Sequence, residues 1–185
     1  MTKTKKFILI GHQKRHGKDT FATMLQQFLP NSEILAFADP MRAILAEQNG
    51  MSPEDYKAYY NEHEEERDKM KLLGTGMMIK YFGDKVWRDV LVRQATQLDC
   101  EYIIVSDFRF KREYIPNSLT IKINNPRIRS DDSHISEVDL KDFDFDVNVI
   151  NDGDLEQLEY VAYIVSRQVK FNQTQHGSTL VTSNY

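Results

Sequence analysis

The stretch KFILIGHQKRHGKDT, residues 6–20, decides the fold, because an apolar run passes through a basic loop into a helix. The segment KFILI, residues 6–10, is typical of a strand that is buried on both faces of a parallel sheet. Residues 18–29 repeat their apolar side chains at i, i+3, i+4 and i+7, so they predict a helix with one apolar face, which Pro30 ends. A strand, a loop and a helix in this order begin an α/β unit.

The loop between this strand and this helix nearly matches the phosphate-binding pattern G-x-x-x-x-G-K-[ST]. Gly17 and Lys18 fit its second half, but His12 stands at the first glycine and Asp19 at the serine or threonine. Gly11, one residue early, can ease the turn off the strand, and a carboxylate at position 19 can hold Mg²⁺ directly or through water. The helix start aims main-chain N–H groups and the helix dipole at one point, which favours an anion. The alternative is a basic turn that binds no ligand.

Composition narrows the classes of protein to which the chain can belong. With 185 residues, 41% of them hydrophobic and 28% charged, the chain is long enough for one globular domain. A net charge of −4 argues against binding to a nucleic-acid polymer, which needs a basic surface. Cys100 is the only cysteine, which excludes an internal disulfide and a cysteine-based zinc site. Without a signal-like segment or an apolar stretch of ~20 residues, we expect a cytoplasmic protein with no membrane partner.

Strands and helices alternate along the rest of the chain. Further strands are predicted at 33–38, 101–107, 118–124 and 146–150, and further helices at 39–48, 53–73, 83–98 and 153–169. The acidic run NEHEEERDK in the second of these helices is interpreted as a solvated helix face. The alternation predicts a three-layer α/β fold, with a five-stranded, mostly parallel sheet and helices on both faces.

Two charged residues mark the end of the strand predicted at 101–107. Ligands of α/β proteins bind at the carboxyl ends of the strands, where Asp107 and Arg109 are expected to emerge. Asp107 is a candidate ligand of a metal-bound water, and its alternative role is the N-cap of the following helix. Arg109 is a candidate phosphate contact, and its alternative role is a surface salt bridge.

Several separated segments resemble the bacteriophage deoxynucleoside monophosphate kinases, within the P-loop nucleoside monophosphate kinases. The segments are KRHGKDT (14–20), AFADPMR (36–42), RDKMKLLGT (67–75), VWRDVL (86–91), IIVSDFRFKRE (103–113), SDDSHISE (130–137) and VINDGDLEQL (149–158). Aspartate after the loop lysine is usual in that family, so Asp19 agrees with the resemblance. His134 and Glu137 match its H-x-x-E motif, to which we assign no chemical role.

The resemblance implies a P-loop NTPase fold and an enzyme that uses ATP and Mg²⁺ to phosphorylate a deoxynucleoside monophosphate to the diphosphate. It implies a single kinase domain over residues 1–170, with acceptor-binding helices at about 39–98, a lid at about 125–140 and a mobile tail at 171–185. The expected partners are small nucleotide substrates, and the expected state is a monomer or homodimer in the cytoplasm, which is the host cytoplasm if a phage encodes the protein. The accepted base and sugar stay open.

The resemblance and the loop pattern together assign roles to individual residues. Catalytic roles are assigned to Arg15, Lys18, Arg67, Arg127 and Arg129. Cofactor binding is assigned to Lys14, His16, Gly17, Lys18, Asp19 and Thr20. Substrate binding is assigned to Asp39, Arg67, Asp107 and Arg109, and metal binding to Asp19 and Asp107. The alternative role of Arg67 is an ion pair in an acidic helix, and that of Arg127 and Arg129 is a solvated loop charge.

Two other functions fit the same pattern. One is a different small-molecule P-loop kinase, of the dephospho-CoA or phosphomevalonate type. The other is a nucleotide-binding regulatory domain without transfer activity. A pure binding domain has no need for Arg67, Arg127 and Arg129 to converge on one point, so these arginines separate a kinase from a binding domain.

Overall fold

The structure is a computed structural model of the chain, and it describes residues 4–128 and 135–171. The described residues form two compact units. The first comprises the residues up to Ile34 and those from Leu98 onward, and the second comprises Leu35–Gln97. The second unit spans nearly the same residues as the predicted acceptor-binding helices, whose assignment stays a prediction.

A five-stranded parallel sheet forms the centre of the first unit. Its strands are β1 (Lys6–Gly11), β2 (Ser32–Leu35), β3 (Tyr102–Phe108), β4 (Leu119–Asn124) and β5 (Val147–Ile150). They lie in the order β2-β3-β1-β4-β5, and β1 pairs in parallel with both β3 and β4. The predicted α/β fold with a five-stranded, mostly parallel sheet is confirmed.

The central position of β1 explains its continuous apolar sequence. Ile8, Leu9 and Ile10 are each at most 1% exposed, because both faces of the strand are covered. The edge strand β5 instead alternates buried and exposed residues, with Val147 and Val149 facing the core. The difference follows from burial on two faces at the centre of the sheet and on one face at its edge.

Helices α1 (Lys18–Phe28) and α8 (Leu155–Phe171) pack against one face of this sheet. Their buried positions are Phe21, Ala22 and Leu25 in α1 and Leu158, Ala162 and Val165 in α8. The stripe recurs every three or four residues, as the sequence of both helices predicts. Burial of a leucine or phenylalanine side chain contributes about 1.5–3 kcal/mol, so this shared core holds the loop between β1 and α1 on a rigid base.

The second unit is helical. It contains α2 (Asp39–Gln48), α3 (Pro53–Glu62), α4 (Glu64–Lys71), α5 (Met78–Phe82) and α6 (Val86–Gln97), with a π-helical turn at Leu72–Met77 between α4 and α5. The single helix predicted over 53–73 is divided at His63, whose main chain is extended with φ −113° and ψ 112°. A short helix that was not predicted, α7 (Ile135–Val138), belongs to the first unit.

Strand β2 is shorter than predicted, because its expected last residues form the turn that leads into α2. The Asp39 carboxylate accepts a hydrogen bond from the main-chain N–H of Ala36, at 2.7 Å. That N–H therefore points to a side chain rather than to a neighbouring strand. Asp39 also pairs with Arg42 one turn later in α2, so its carboxylate stabilises the first turn of the helix.

The interpretation of the acidic run as a solvated face is wrong for Glu66. Its side chain is 6% exposed and accepts hydrogen bonds from the Tyr56 hydroxyl, at 2.7 Å, and from the Lys69 ammonium, at 2.6 Å. These two hydrogen bonds, that of Lys69 first, hold the pKa of Glu66 below its ordinary value. The buried carboxylate therefore joins α3 to α4 across the break at His63.

The π-helical turn brings a main-chain carbonyl to the only tryptophan of the chain. The indole Nε1–H of Trp87 donates to the Gly74 carbonyl at 2.9 Å, and the hydrogen bond is buried. A Cβ at position 74 would lie 3.0 Å from the Met41 sulfur, so glycine lets α2 approach the turn closely. A π turn releases carbonyls from the regular α-helical hydrogen bonds. Trp87 provides a partner for one of them.

We predict that Trp87→Phe destabilises the protein, because it keeps an aromatic ring but leaves the buried Gly74 carbonyl without its donor. The expected loss in the free energy of unfolding is about 1–3 kcal/mol. Urea unfolding followed by far-ultraviolet circular dichroism measures it without relying on tryptophan fluorescence. Tyr81→Phe is the control, since it removes a hydroxyl from a residue of the same unit that is 68% exposed. Equal stability of the two variants would contradict the prediction.

Candidate functional site

The loop between β1 and α1 begins with a close approach of aromatic rings to Gly11. A Cβ on Gly11 would lie 2.9 Å from a ring carbon of Phe108 and 3.0 Å from one of Phe145. Gly11 was expected to ease the turn off the strand. The residue with a left-handed main chain is instead His12, with φ 96°. Gly11 is therefore required for close packing, and the turn off the strand is made by a histidine in a conformation that few non-glycine residues adopt.

Gly17 joins the loop to the helix. It is the N-cap of α1 with φ 96°, a value that favours glycine. A Cβ at this position would lie 2.5 Å from the Asn151 amide nitrogen, which donates to the His16 carbonyl at 3.0 Å. The glycine of the sequence pattern therefore meets two local requirements, a left-handed main chain and space for Asn151.

The Lys18 side chain turns back over the loop. It is the first residue of α1 and is 6% exposed, and its Nζ donates to the main-chain carbonyl of Gln13. Burial, followed by the positive charge of Arg109, lowers the pKa of Lys18 to about 8. The ammonium is still mostly protonated at neutral pH, and an anion bound beside it would be favoured by both cations.

Carboxylates near Lys18 act against this decrease in its pKa. The negative charges of Glu137, Asp19 and Asp107 all act to raise the Lys18 pKa, so the three carboxylates surround the same ammonium. Asp19 is exposed in the first turn of α1, and Asp107 is half-buried near the end of β3. The structure thus brings together Lys18, Arg109, Asp19 and Asp107, which were predicted separately from distant parts of the sequence.

The arrangement restricts how a metal ion could bind. Within residues 4–128 and 135–171, no group of three histidine, cysteine, aspartate or glutamate residues could hold one. Magnesium commonly takes one or two carboxylates together with substrate phosphates and waters. Asp19 and Asp107 fit this mode, in which the protein supplies a minority of the ligands.

Asp107 does not act as the N-cap of a following helix, which was its alternative role. Strand β3 continues to Phe108, and the next element is a 3₁₀ turn at Lys111–Glu113 whose N-cap is Phe110. The carboxylate therefore belongs to the end of the strand. Its position at the carboxyl edge of the sheet is the one from which α/β proteins bind ligands.

Arg109 forms an ion pair with Glu137 of α7, and this glutamate also contacts the loop. The Arg109 guanidinium donates to Oε1 of Glu137 at 2.7 Å, and the main-chain N–H of Lys14 donates to Oε2 at 2.8 Å. The Glu137 side chain is 2% exposed. The pair differs from the surface salt bridge considered for Arg109. Sequence reasoning singled out Glu137 only as part of a motif, without a role.

A second buried carboxylate holds the main chain of Arg109. Oε2 of Glu113 accepts hydrogen bonds from the main-chain N–H of Arg109 at 2.9 Å and from that of Phe110 at 3.0 Å. Burial, followed by the negative charge of Asp107, raises the pKa of Glu113 to about 8. Sequence reasoning missed this residue, because nothing in the local pattern distinguishes it from a surface glutamate.

His16 contributes its imidazole to the end of β4 rather than to an open surface. It is 1% exposed, and its Nδ1 accepts a hydrogen bond from the main-chain N–H of Asn125 at 2.9 Å. Its Nε2 has no hydrogen-bond partner among the residues described. The side chain links the loop to the segment after β4, and the predicted contact of His16 with a cofactor stays a prediction.

The His12 side chain packs against His16 and does not point outward into solvent. The two rings meet edge to face, with centroids 5.3 Å apart. Burial, then the positive charge of Lys122, lowers the pKa of His12 to about 4. The imidazole is therefore neutral at physiological pH and adds no positive charge to the loop.

The remaining predicted residues of the first unit fall into three groups. Exposed positions of the loop and the start of α1 are Lys14, Arg15 and Thr20. Arg127 is exposed after β4, and its main-chain N–H donates to the Asn125 side chain at 3.0 Å. Arg129, His134 and residues 172–185 of the predicted tail lie outside the described residues, and Phe171, where the tail was predicted to begin, is the last residue of α8.

Arg67 and Asp39 belong to the second unit. Arg67 is exposed on α4, and its guanidinium donates to the Asn61 carbonyl at 3.1 Å, a contact with the main chain rather than with an acidic side chain. Asp39 is the first residue of α2, one position after the N-cap Ala38. The roles predicted for both residues stay predictions.

Comparisons with known proteins agree with the resemblance seen in the sequence. A family model described as deoxynucleotide monophosphate kinase matches residues 57–161, more than half of the chain. A protein of Acanthamoeba polyphaga mimivirus named "Putative deoxynucleotide monophosphate kinase" is 27% identical over 190 residues, which covers 86% of this chain and 95% of that protein. The family match includes Arg67, Asp107, Arg109 and Glu137, and the loop at residues 11–18 precedes it.

We predict that His12 makes the protein less stable in acid. Its pKa is about 4 in the folded chain against an ordinary value of 6.5, so the unfolded chain binds the proton first as the pH falls. The free energy of unfolding should therefore be highest above pH 6.5 and decrease as the pH falls toward 4. His12→Asn removes the titrating ring and tolerates the left-handed main chain, so its stability should decrease less over this range.

Urea unfolding at a series of pH values between 4 and 6.5 measures the difference between the two proteins. His63→Asn is the control, because it replaces an exposed histidine of the second unit. It should follow the wild-type curve. Parallel curves for wild type and His12→Asn would contradict the assignment.

Proposed function

Because this chain belongs to the deoxynucleotide monophosphate kinase family, we propose that it uses ATP and Mg²⁺ to convert a deoxynucleoside monophosphate into the diphosphate. The observation that supports the ATP-dependent step is the geometry of Lys18. A buried ammonium folded over its own loop, beside Arg109 and three carboxylates, suits a phosphate chain with a bound metal ion.

We propose that the loop holds the phosphates of ATP. Main-chain N–H groups around Gly17, at the start of α1, would bind the anion, and Lys18 would neutralise the charge of its β- and γ-phosphates. The proposed phosphate-binding loop also includes Lys14, His16, Asp19 and Thr20. Of these, His16 contributes its main chain. Since Lys18 is shielded from water, its charge acts on the phosphates at an effective dielectric constant lower than that of water.

Mg²⁺ is proposed to bind through Asp19 and Asp107. Both carboxylates act electrostatically on Lys18, so both lie near the place where the phosphates are expected. The ion would offset the charge of the phosphates that it bridges, and a pair of carboxylates leaves positions for phosphate and water.

The acceptor nucleotide is assigned to Arg67 and Asp39. Arg67 offers an exposed guanidinium on α4, and a guanidinium binds phosphate through two parallel hydrogen bonds. Asp39 presents a carboxylate at the start of α2, although Arg42 and the Ala36 N–H already contact it. Both residues lie in segments that resemble the family, which supports the assignment.

Transfer of the phosphoryl group needs alignment and charge neutralisation more than acid–base chemistry. Arg15 is proposed to bridge the donor and acceptor phosphates from its exposed position on the loop. Arg127 and Arg129 are proposed to neutralise the transferring group from the lid and to help exclude water. Among the residues that the structure describes, no helix is both long and apolar enough to cross a membrane. Small nucleotides remain the proposed partners, and the cytoplasm the proposed location.

We predict that at least one deoxynucleoside monophosphate stimulates ADP release well above the rate with ATP and Mg²⁺ alone. A coupled ADP assay with each common dNMP and NMP measures this, and it also reveals the base and sugar preference. Lys18→Met should reduce the stimulated rate by about 100-fold or more, because the ammonium that stabilises the transferred charge is absent. ATP binding without stimulation by any acceptor would favour a regulatory nucleotide-binding domain.

We predict that Arg67→Ala weakens the acceptor and leaves ATP nearly unaffected, because only the acceptor phosphate loses a charge-assisted hydrogen bond. Loss of such a bond costs about 1.5–3 kcal/mol, so the acceptor KM should rise by roughly 10- to 150-fold. Steady-state kinetics with each substrate varied in turn separates the two effects. Arg93→Ala, which removes another exposed arginine of the second unit, is the matched control. An unchanged acceptor KM would reject the role of Arg67.

A further inference from the structure

Glu137 is a buried charged side chain, and its two oxygens have different partners. Oε1 accepts from the Arg109 guanidinium at 2.7 Å, and Oε2 accepts from the main-chain N–H of Lys14 at 2.8 Å. Only 2% of the side chain is exposed. Both partners are distant from Glu137 in the sequence. Lys14 precedes Glu137 by 123 residues, and Arg109 precedes it by 28.

These contacts join two parts of the site. One is the loop after β1, and the other is the segment after β3. The main chain of Arg109 is held by Glu113 at 2.9 Å, while its guanidinium is held by Glu137 at 2.7 Å. The orientation of Arg109 is therefore fixed both at its main chain and at its guanidinium.

The chemistry of the side chain explains why a glutamate occupies this position. A carboxylate offers two acceptor oxygens, whereas a glutamine amide offers one acceptor and a donor that would face the guanidinium. Glu137 engages one terminal nitrogen of a guanidinium that has five N–H donors in total. An Arg109 held in this way can present donors to a phosphate beside Lys18, whose pKa both residues affect.

We propose that Glu137 is a positioning residue for nucleotide binding. It holds the Arg109 guanidinium and the loop main chain at Lys14 in the arrangement that receives the phosphates. The inference rests on the proposed function, because it assigns Arg109 a phosphate contact. It gives a role to the glutamate of the H-x-x-E motif.

The Glu137 carboxylate can also oppose the binding of ATP. The direction in which its removal changes the affinity for ATP distinguishes this effect from positioning. A negative charge beside the loop repels phosphate, so a glutamate that merely filled an anion site would compete with ATP. Removal of its charge would then tighten ATP binding. A positioning role requires the reverse, since the gain from correct placement of Arg109 must exceed the repulsion.

The test is the binding of MgATP to the full chain, measured by isothermal titration calorimetry, together with kcat and KM for the preferred acceptor. Glu137→Gln keeps one acceptor for the Lys14 N–H and loses the charge that holds Arg109. We expect it to raise the Kd of MgATP by about tenfold or more, the scale of one lost charge-assisted contact. Asp139→Asn is the control, because Asp139 ties the residues after α7 to the Lys111 main chain at 2.6 Å without contacting Arg109. It should bind MgATP like the wild type.

A double-variant comparison separates positioning from a general loss of structure. If Glu137 acts through Arg109, then Glu137→Gln should weaken MgATP little further in an Arg109→Lys background, which keeps the charge but not the planar fork. Far-ultraviolet circular dichroism verifies that each variant is folded. Additive losses in the double variant, or tighter binding of MgATP by Glu137→Gln, would overturn the inference.

The binding measurement needs no acceptor, so the two proposals can fail separately. MgATP binding that depends on Glu137 and Arg109 as expected, without turnover of any acceptor, would contradict the kinase activity and support the role of Glu137. Turnover that is unchanged in Glu137→Gln would support the kinase and overturn the positioning role. No binding of MgATP by the wild type would contradict both.

Discussion

The burial of the Lys18 ammonium is the constraint on which the rest of the site depends. A cation with 6% exposure costs free energy unless hydrogen bonds and opposite charges surround it. The Gln13 carbonyl accepts from it, and carboxylates of α1, β3 and α7 lie near enough to raise its pKa against the effect of burial. The loop must therefore close over the lysine, and the sheet must bring Asp107 and Arg109 beside it.

Much of this arrangement could be predicted from the sequence, because the relevant signals are local. The apolar run of β1 and the periodicity of α1 predict a strand and a helix, and Gly17 with Lys18 predicts the anion-binding turn between them. The parallel sheet follows from the alternation of strands and helices, and it places the ends of β1 and β3 at one edge. Asp107 and Arg109 could therefore be assigned to the site before the fold was known.

Buried carboxylates could not be predicted, because their burial is favourable only through contacts that the folded chain forms. Glu66 stands in a run of exposed charges, and only the Tyr56 hydroxyl and the Lys69 ammonium make its burial favourable. Glu113 and Glu137 likewise depend on partners that the fold brings to them. The break at His63 also has no clear local signal, since the polar residues around it favour a continuous helix. A charged residue in a polar segment is interpreted as a surface residue until its tertiary contacts are known.

Trp87, through its contact with Gly74, is an intrinsic fluorescence probe of the second unit. The chain has one tryptophan, it is 6% exposed, and it lies wholly within the second unit. Its emission therefore reports the environment of that unit without interference from another indole. The hydrogen bond joins the indole to the π turn directly after α4, so the fluorescence is sensitive to movement of the helix that carries Arg67. Titration of unlabelled protein with each nucleotide can then follow, in real time, which ligand alters the second unit.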